Sequence, residues 1–404
     1  MSDIFSRIRN LLRHKQFLIN TYVIFLVGFY ISPNNHLHRN FYYLFVLLPF
    51  FIAVDRREIQ NCIRSRIFKL SLIFLVFFLL SMFWTDGDIT GEEYYDIVRY
   101  FLMLVCFILV TMYLAADSDQ FLEKLQFWLC LVAMVAAIIF ILVFYASHNF
   151  PAARVKGPFS YNDNENQAAM FFGFAGILAL YSALSSKQGR HKLFYGCCLF
   201  VIFGYMLLSQ SRGPTFAFIM CLCVGLALEK NWKAIALIVV LSIGFLCLIE
   251  FGSTGISSFL DRGLGYRKTL WLETLNRIGQ APILGEGFFT DVNTQVGWRE
   301  LSPHNLFLLV TLKSGVIGGG LLIVLVLTAL VYSYRFFSAS GNWIYLGIFI
   351  YFIICMTFDS THLLYKPTLG WLIFWLPISL IAVEELRRIQ KRSSHNLHDN
   401  EFEQ

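Results

Sequence analysis

IFKLSLIFLVFFLLSMFW, residues 67–84, decides the fold: it is an apolar run whose only charge is Lys69. Wound into a helix, it is long enough to cross most of a hydrocarbon core of ~30 Å. Similar runs recur from end to end, at 16–32, 41–54, 97–115, 125–146, 168–185, 193–210, 213–229, 233–251, 304–333, 343–358 and 367–386. Bilayer interiors offer no water to satisfy backbone amides, so each run is expected to be a helix. The 404 residues are 57% hydrophobic and 14% charged, against roughly a quarter charged in soluble domains. A soluble globule is thereby excluded. The reading is a single integral membrane domain over 1–404, all-α and polytopic, with about twelve transmembrane helices. The 42 Phe and 19 Tyr fit lipid-facing surfaces and interface belts.

Charge orients the chain. The N-terminal segment with Arg7, Arg9, Arg13 and Lys15, the connections DRREIQNCIRSR (55–66) and SKQGRHK (186–192), and EELRRIQKRSSHN (384–396) are all basic. Alternating spans put the four on one face, which the positive-inside rule makes cytoplasmic, with both termini. The polar stretch 387–404 is a cytoplasmic tail suited to lipid headgroups, not nucleic acid. The first run has no small-residue cleavage site and reads as a retained span. Eight of nine cysteines fall inside apolar runs, where Cys packs as a small hydrophobe, so no disulfide framework is expected.

On the opposite face, cations gather in three places: Arg154 and Lys156; Arg212; and Arg262, Arg267, Lys268, Arg277 and Arg299 within the long external loop 252–303. An anionic ligand explains them, and so does a long loop that translocates whatever its charge; charge alone leaves both open. Arg99 and Lys313 fall within spans. SQSRGP (209–214) joins two spans so tightly that Arg212 sits at or just below the external surface, where an unpartnered charge is costly. GYRKTLWLETLNRIG (265–279) spaces Trp271, Leu275 and Ile278 as one face of an amphipathic helix that Pro282 ends. SPHN (302–305) sets His304 at a membrane boundary, where a neutral imidazole can take a proton from a hydroxyl. Pro303 suits a first helical turn there and Ser302 its cap. The loop SHNFPAARVKGPFSYNDNENQ (147–167) offers amides for sugar hydroxyls and cations for phosphate, and equally reads as a polar turn. Asp86, Asp88, Glu92 and Glu93 have no His beside them and read as a solvated face, not a metal site. GVIGGG (315–320) reads as close helix packing in preference to a helix break.

SRGP at 211–214, R-x-x-x-W at 267–271, P-I-L-G-E-G at 282–287, H-N at 304–305 and S-G-V-I-G at 314–318, taken in order, resemble the O-antigen ligase and polymerase family of bacterial envelope glycan enzymes. R-V-K-G-P-F…N-x-N-x-x-A at 154–169 adds to the likeness, which in motif form covers about residues 150–320. The resemblance implies a membrane-embedded, all-helical glycosyltransferase in the bacterial inner membrane with its active site facing the periplasm. Its donor would be an undecaprenyl-diphosphate-linked glycan and its acceptor a sugar hydroxyl of lipid A-core. No nucleotide sugar, cofactor or catalytic metal is implied. Arg212 and Arg267 would hold the leaving diphosphate and His304 would act as base, giving inversion; Arg154, Lys156 and Asn305 would bind substrate. One departure is that Leu301, Ser302 and Pro303 precede His304 where many ligases of the family carry a second His, which moves the reading towards the polymerases. A transferase that glycosylates protein is a third variant. The rival of another class is a transporter of lipid-linked anions, against which stand the lack of an internal repeat and the clustering of polar residues outside the spans.

Overall fold

The computed structural model describes residues 15–116, 119–159, 161–232, 265–296, 299–359 and 361–402. The expected span 233–251, Arg262 and the first part of the long loop lie outside the described residues. Helices dominate: α1 (Lys15–Ile31), α2 (Asn35–Phe41) running through a π-helical turn into α3 (Leu48–Ala53), α4 (Arg56–Ile63), α5 (Arg66–Leu80), α6 (Gly91–Ala116), α7 (Asp119–Tyr145), α8 (Glu165–Ser185), α9 (Gly189–Leu208), α10 (Arg212–Leu228) and α11 (Gly265–Gln280). After a hairpin of β1 (Thr294–Val296) and β2 (Arg299–Leu301) come α12 (Leu306–Ser340), α13 (Ile344–Phe358) and α14 (Leu376–Phe402). The hairpin pairs Thr294 with Leu301 and Gln295 with Glu300, and is the one β element among the described residues.

Six described helices are long and apolar enough to cross a membrane: Arg66–Trp84, Gly91–Ala116, Gln120–Tyr145, Glu165–Ser185, Gly189–Leu208 and Leu306–Ser340. Counting Asn35–Ala53 with Arg56–Ile63, which meet at a bend of 101°, makes seven. The protein is thus an all-α, multi-pass membrane protein. Three further apolar segments are shorter helices, Lys15–Ile31, Arg212–Leu228 and Ile344–Phe358, each about 25 Å or less at 1.5 Å per residue.

The bundle packs around α8, whose residues Ala168 to Leu180 are all buried. α9 and α10 lie against α8, α10 against α13, and α12 against α5. α11 rests on α12, so the amphipathic segment joins the bundle. Its inward ridge is Leu270, Thr274 and Ile278, with relative exposures of 1%, 1% and 9%, whereas Leu275 is 50% exposed. This corrects the expected apolar face: the 3.6-residue period allowed two overlapping stripes, and the position of α12 selects the one starting at Leu270.

A second correction concerns GVIGGG. Ser314 (φ −129°, ψ 17°) and Gly315 (φ 64°) are non-helical and break α12. The segment 282–288 occupies the break: the Glu286 and Gly287 amides donate to the Leu312 and Lys313 carbonyls at 2.8 and 2.9 Å, and Val316 N–H to the Pro282 carbonyl at 2.8 Å. The Leu312 and Lys313 carbonyls thus regain donors, as low dielectric requires. A Cβ on Gly315 would collide with the Ile283 carbonyl, and one on Gly285 with the Gly315 amide. Both P-I-L-G-E-G and S-G-V-I-G therefore belong to a single backbone joint.

Candidate functional site

The turn ahead of α10 is held from the side. Gln210, at φ 51°, donates from Nε2 to the carbonyls of Pro151 and Ala152 at 3.0 and 3.2 Å. Arg154 donates from Nε to the Ser209 carbonyl at 3.1 Å, and from Nη2 to Asn166 Oδ1 at 3.0 Å and Ser211 Oγ at 3.3 Å. Its neighbour Val155 bonds the Leu208 carbonyl. Arg154 therefore spends most of its fork on the protein, while Lys156 next to it is exposed. The product of this clamp is Arg212, first residue of α10, with an exposed side chain. At Gly213 a Cβ would lie 3.5 Å from Phe358 Cβ, so the Arg212 turn abuts the end of α13.

α11 approaches the same place from the other side. Trp271 stacks on Phe358 with ring centroids 6.4 Å apart, and the Arg267 guanidinium lies 5.9 Å above the same ring. Trp271 also donates its indole N–H to the Pro303 carbonyl at 2.9 Å, tying α11 to the residue before His304. Farther along α11, Arg277 forms a bidentate pair with Glu286, which also accepts from Thr290, and donates to the Asp291 carbonyl. α11 is thereby fastened to the joint in α12.

His304 has a left-handed backbone, φ 44°, a conformation that costs a non-glycine residue of order 1–3 kcal/mol and often marks a functional position. Its Nδ1 stands 3.3 Å from Asp359 Oδ1, with side chains 38% and 12% exposed. Asn305 caps α12 by accepting from Leu308 N–H at 3.1 Å and donates to the Thr357 carbonyl at 3.1 Å. The cap is thus Asn305 and not Ser302, because the left-handed turn at His304 delays the helix by three residues. Both ends of the Asn305 amide are committed to protein, which leaves it a positioning part.

The Arg212 turn, Arg267 and His304, separated by up to 92 residues of chain, accordingly meet at Phe358 and Asp359 at one end of α13. The family model described as O-antigen ligase matches residues 197–323, which contain the Arg212 turn, α11, His304 and the joint in α12. A curated protein named O-antigen ligase, from Pseudomonas aeruginosa (strain PAO1), is 22% identical over 360 residues, covering 87% of this chain and 86% of the relative. The chain is thus similar to the O-antigen ligase family through the segment that carries these residues and, more weakly, over most of its length. That similarity supports a membrane glycosyltransferase-like enzyme acting in lipid-linked glycan transfer.

Sequence reasoning about this O-antigen ligase relative missed Asp359 and Phe358. Their signal is slight: Asp359 is the first polar residue after the apolar run that ends in Cys355, Met356, Thr357 and Phe358, in a connection expected on the same face as His304. A search for cations around an anionic substrate passes over a carboxylate, yet an imidazole needs a partner to fix its tautomer. Nothing at the level of sequence links positions 304 and 359.

Proposed function

We propose that the protein is an O-antigen ligase, an inverting and metal-independent glycosyltransferase that moves a glycan from undecaprenyl diphosphate to a sugar hydroxyl of lipid A-core. The observation that carries this reading is the meeting of Arg212, Arg267 and the His304–Asp359 pair around Phe358. In the proposed topology about twelve spans carry the chain through the bacterial inner membrane, both termini face the cytoplasm, and loop 252–303 and the site face the periplasm.

Cleavage of the glycosyl–diphosphate bond leaves negative charge on the diphosphate. Arg212 and Arg267 hold that charge through charge-assisted, bidentate hydrogen bonds, worth most where water is excluded. Phe358 and Trp271 aim the Arg267 guanidinium. His304 donates Nδ1–H to Asp359 and keeps the Nε2 lone pair for the acceptor proton. The acceptor oxygen forms its bond to the anomeric carbon on the face opposite the breaking bond, its proton passes to Nε2, and the diphosphate leaves with the bonding pair. At 3.3 Å the His304–Asp359 contact is long and shortens as the ring gains charge. Arg154 acts through the turn that it holds, Lys156 meets donor phosphate from the exposed side of the loop, and Asn305 positions His304.

The test is a reconstituted transfer assay with purified protein, undecaprenyl-diphosphate glycan and lipid A-core, in EDTA. Glycan on lipid A-core is the expected product. Elongated glycan on the carrier alone makes the protein a polymerase, the reading that Leu301–Pro303 ahead of His304 favours, and carrier movement without transfer makes it a transporter. Arg267→Lys keeps the charge but loses the planar fork, so transfer falls roughly ten-fold or more, the value of one charge-assisted bond.

A further inference from the structure

Segment 281–289 belongs by sequence to the long external loop, yet its backbone is paired as a loop in water need not be. Five successive amides have protein acceptors: Gly285 the Ala281 carbonyl, Glu286 and Gly287 the two carbonyls of α12 described above, Phe288 the Ser81 carbonyl at 3.0 Å and Phe289 Thr85 Oγ1 at 3.2 Å. Carbonyls are met as well: Pro282 by Val316 N–H, Leu284 by the Trp84 indole N–H at 2.9 Å, and Phe288 by the Lys313 ammonium. Irregular backbone at membrane depth survives only when it is covered in this way.

The side chains do the opposite. Ile283 and Leu284 are 62% and 44% exposed, and Val316 and Ile317, directly after the break in α12, are exposed too. Contacts join these into one surface: Val316 bonds Pro282, Gly315 abuts the Ile283 carbonyl, and Leu284 bonds Trp84, whose ring lies 5.9 Å from that of Phe77. Its level follows from α5. Arg66–Trp84 is an apolar helical stretch of 19 residues, about 28 Å long, against a hydrocarbon core of ~30 Å. Trp84 therefore closes that span at one boundary of the core, where tryptophan is favoured. On α12 the exposed large apolar residues begin at Val316 and continue through Ile323, Val324, Leu327 and Val331, with none from Leu306 to Leu312. The lipid-facing side of α12 thus starts at the break, and Ile283 and Leu284 stand at its edge.

We infer that Ile283 and Leu284 form a wedge seated in the hydrocarbon of the leaflet nearer His304, and that this lipid contact sets the height of α11. Arg277 grips Glu286 of the wedge segment, and Arg267 lies about 15 Å back along the helix from Arg277. Leu272, Leu275 and Gly279 share the outer face of α11 at i, i+3 and i+7, and all three are exposed. The apolar surface thereby extends from the wedge along α11. The seat in lipid depends only on the protein crossing a membrane; its consequence for Arg267 rests on the reading of that guanidinium as a holder of the donor diphosphate. A wedge fixed in hydrocarbon holds the arginine on the attached helix at a set height relative to the headgroup layer, where the phosphates of a lipid carrier lie.

Photocrosslinking tests the seat without transfer. p-Benzoylphenylalanine is placed singly at positions 283, 284, 327 and 295, the protein is reconstituted into vesicles of phosphatidylethanolamine and phosphatidylglycerol and irradiated, and adducts are read by peptide mass. Lipid adducts are expected at 283 and 284 as at 327, an exposed position of the α12 span, and not at 295 in the hairpin. Adducts at 283 and 284 no more abundant than at 295 overturn the inference. Leu284→Glu and Leu284→Met test the consequence. In Leu284→Glu the KM for undecaprenyl-diphosphate glycan is expected to rise about ten-fold, the equivalent of returning one leucine to water, while kcat, the KM for lipid A-core and thermal unfolding stay close to wild type. Leu284→Met should behave as wild type. An unchanged donor KM in Leu284→Glu, or a donor KM raised equally in Leu284→Met, overturns the role in setting the height of α11. If Leu284→Glu does not stay monodisperse, Ile283→Gln decides on the same criterion. Wild type that forms lipid adducts but joins no glycan to lipid A-core refutes the transferase reading and leaves the wedge standing; transfer without adducts does the reverse.

Discussion

Two carboxylates at opposite ends of the bundle show how differently a polar group can be used. Glu385 of α14 is 2% exposed and has every oxygen engaged: Oε2 accepts from Ser65 Oγ at 2.6 Å and Ile67 N–H at 3.2 Å, and Oε1 from Tyr332 Oη at 3.1 Å. It closes the start of α5, where Ser65 is itself the cap for Phe68 N–H, and a negative charge favours a helix N-terminus. Asp359 instead faces the His304 imidazole at 3.3 Å, and that imidazole is 38% exposed on a left-handed backbone. A fully satisfied group holds helices together. An exposed imidazole on a strained backbone is poised for a ligand.

The sharpest test of that contrast is a double dissociation. His304→Ala should cut transfer by roughly 10²–10⁴-fold, the usual worth of a general base, with thermal unfolding in detergent unchanged. Glu385→Ala should do the reverse, costing roughly 1–3 kcal/mol for each buried donor left unsatisfied while activity per folded molecule stays near wild type. A His304→Ala protein that unfolds early, or a Glu385→Ala protein that folds well and transfers poorly, would break the comparison.

Gly315→Ala comes next. At φ 64° and ψ −172° the Gly315 backbone is essentially closed to residues with a Cβ, at a cost of order 1–3 kcal/mol, and the Cβ also drives the Ile283 carbonyl away. Because Glu286 ties the joint to Arg277 of α11, both melting temperature and transfer should fall, with Arg267 losing its seat on Phe358. The smallest effect separates the two candidate caps: Asn305→Ala should lower stability by about 1 kcal/mol, as capping residues do, whereas Ser302→Ala should leave it unchanged.

Much of this protein was legible in its sequence. Apolar runs dictated helices because a bilayer leaves the backbone no other partner, and the helix of α11 followed from the period of 265–279 and the stop at Pro282. Arg212, Arg267 and His304 stood out because charge and imidazole are conspicuous among apolar neighbours. Hydropathy could not tell a continuous helix from one broken midway, since it sums composition over a window whatever the backbone does. Nor could it tell packing glycines from the hinge at Gly315, which depends on the segment 282–288 lying in the break. The choice of Leu270 over Leu275 as the inward face needed α12 in place. The pairing of His304 with Asp359, and the seat of Arg267 on the neighbouring Phe358, were decided by tertiary structure alone: packing of α10, α11 and α12 against the end of α13 sets those contacts, and no local rule of sequence encodes contacts between residues so far apart in the chain.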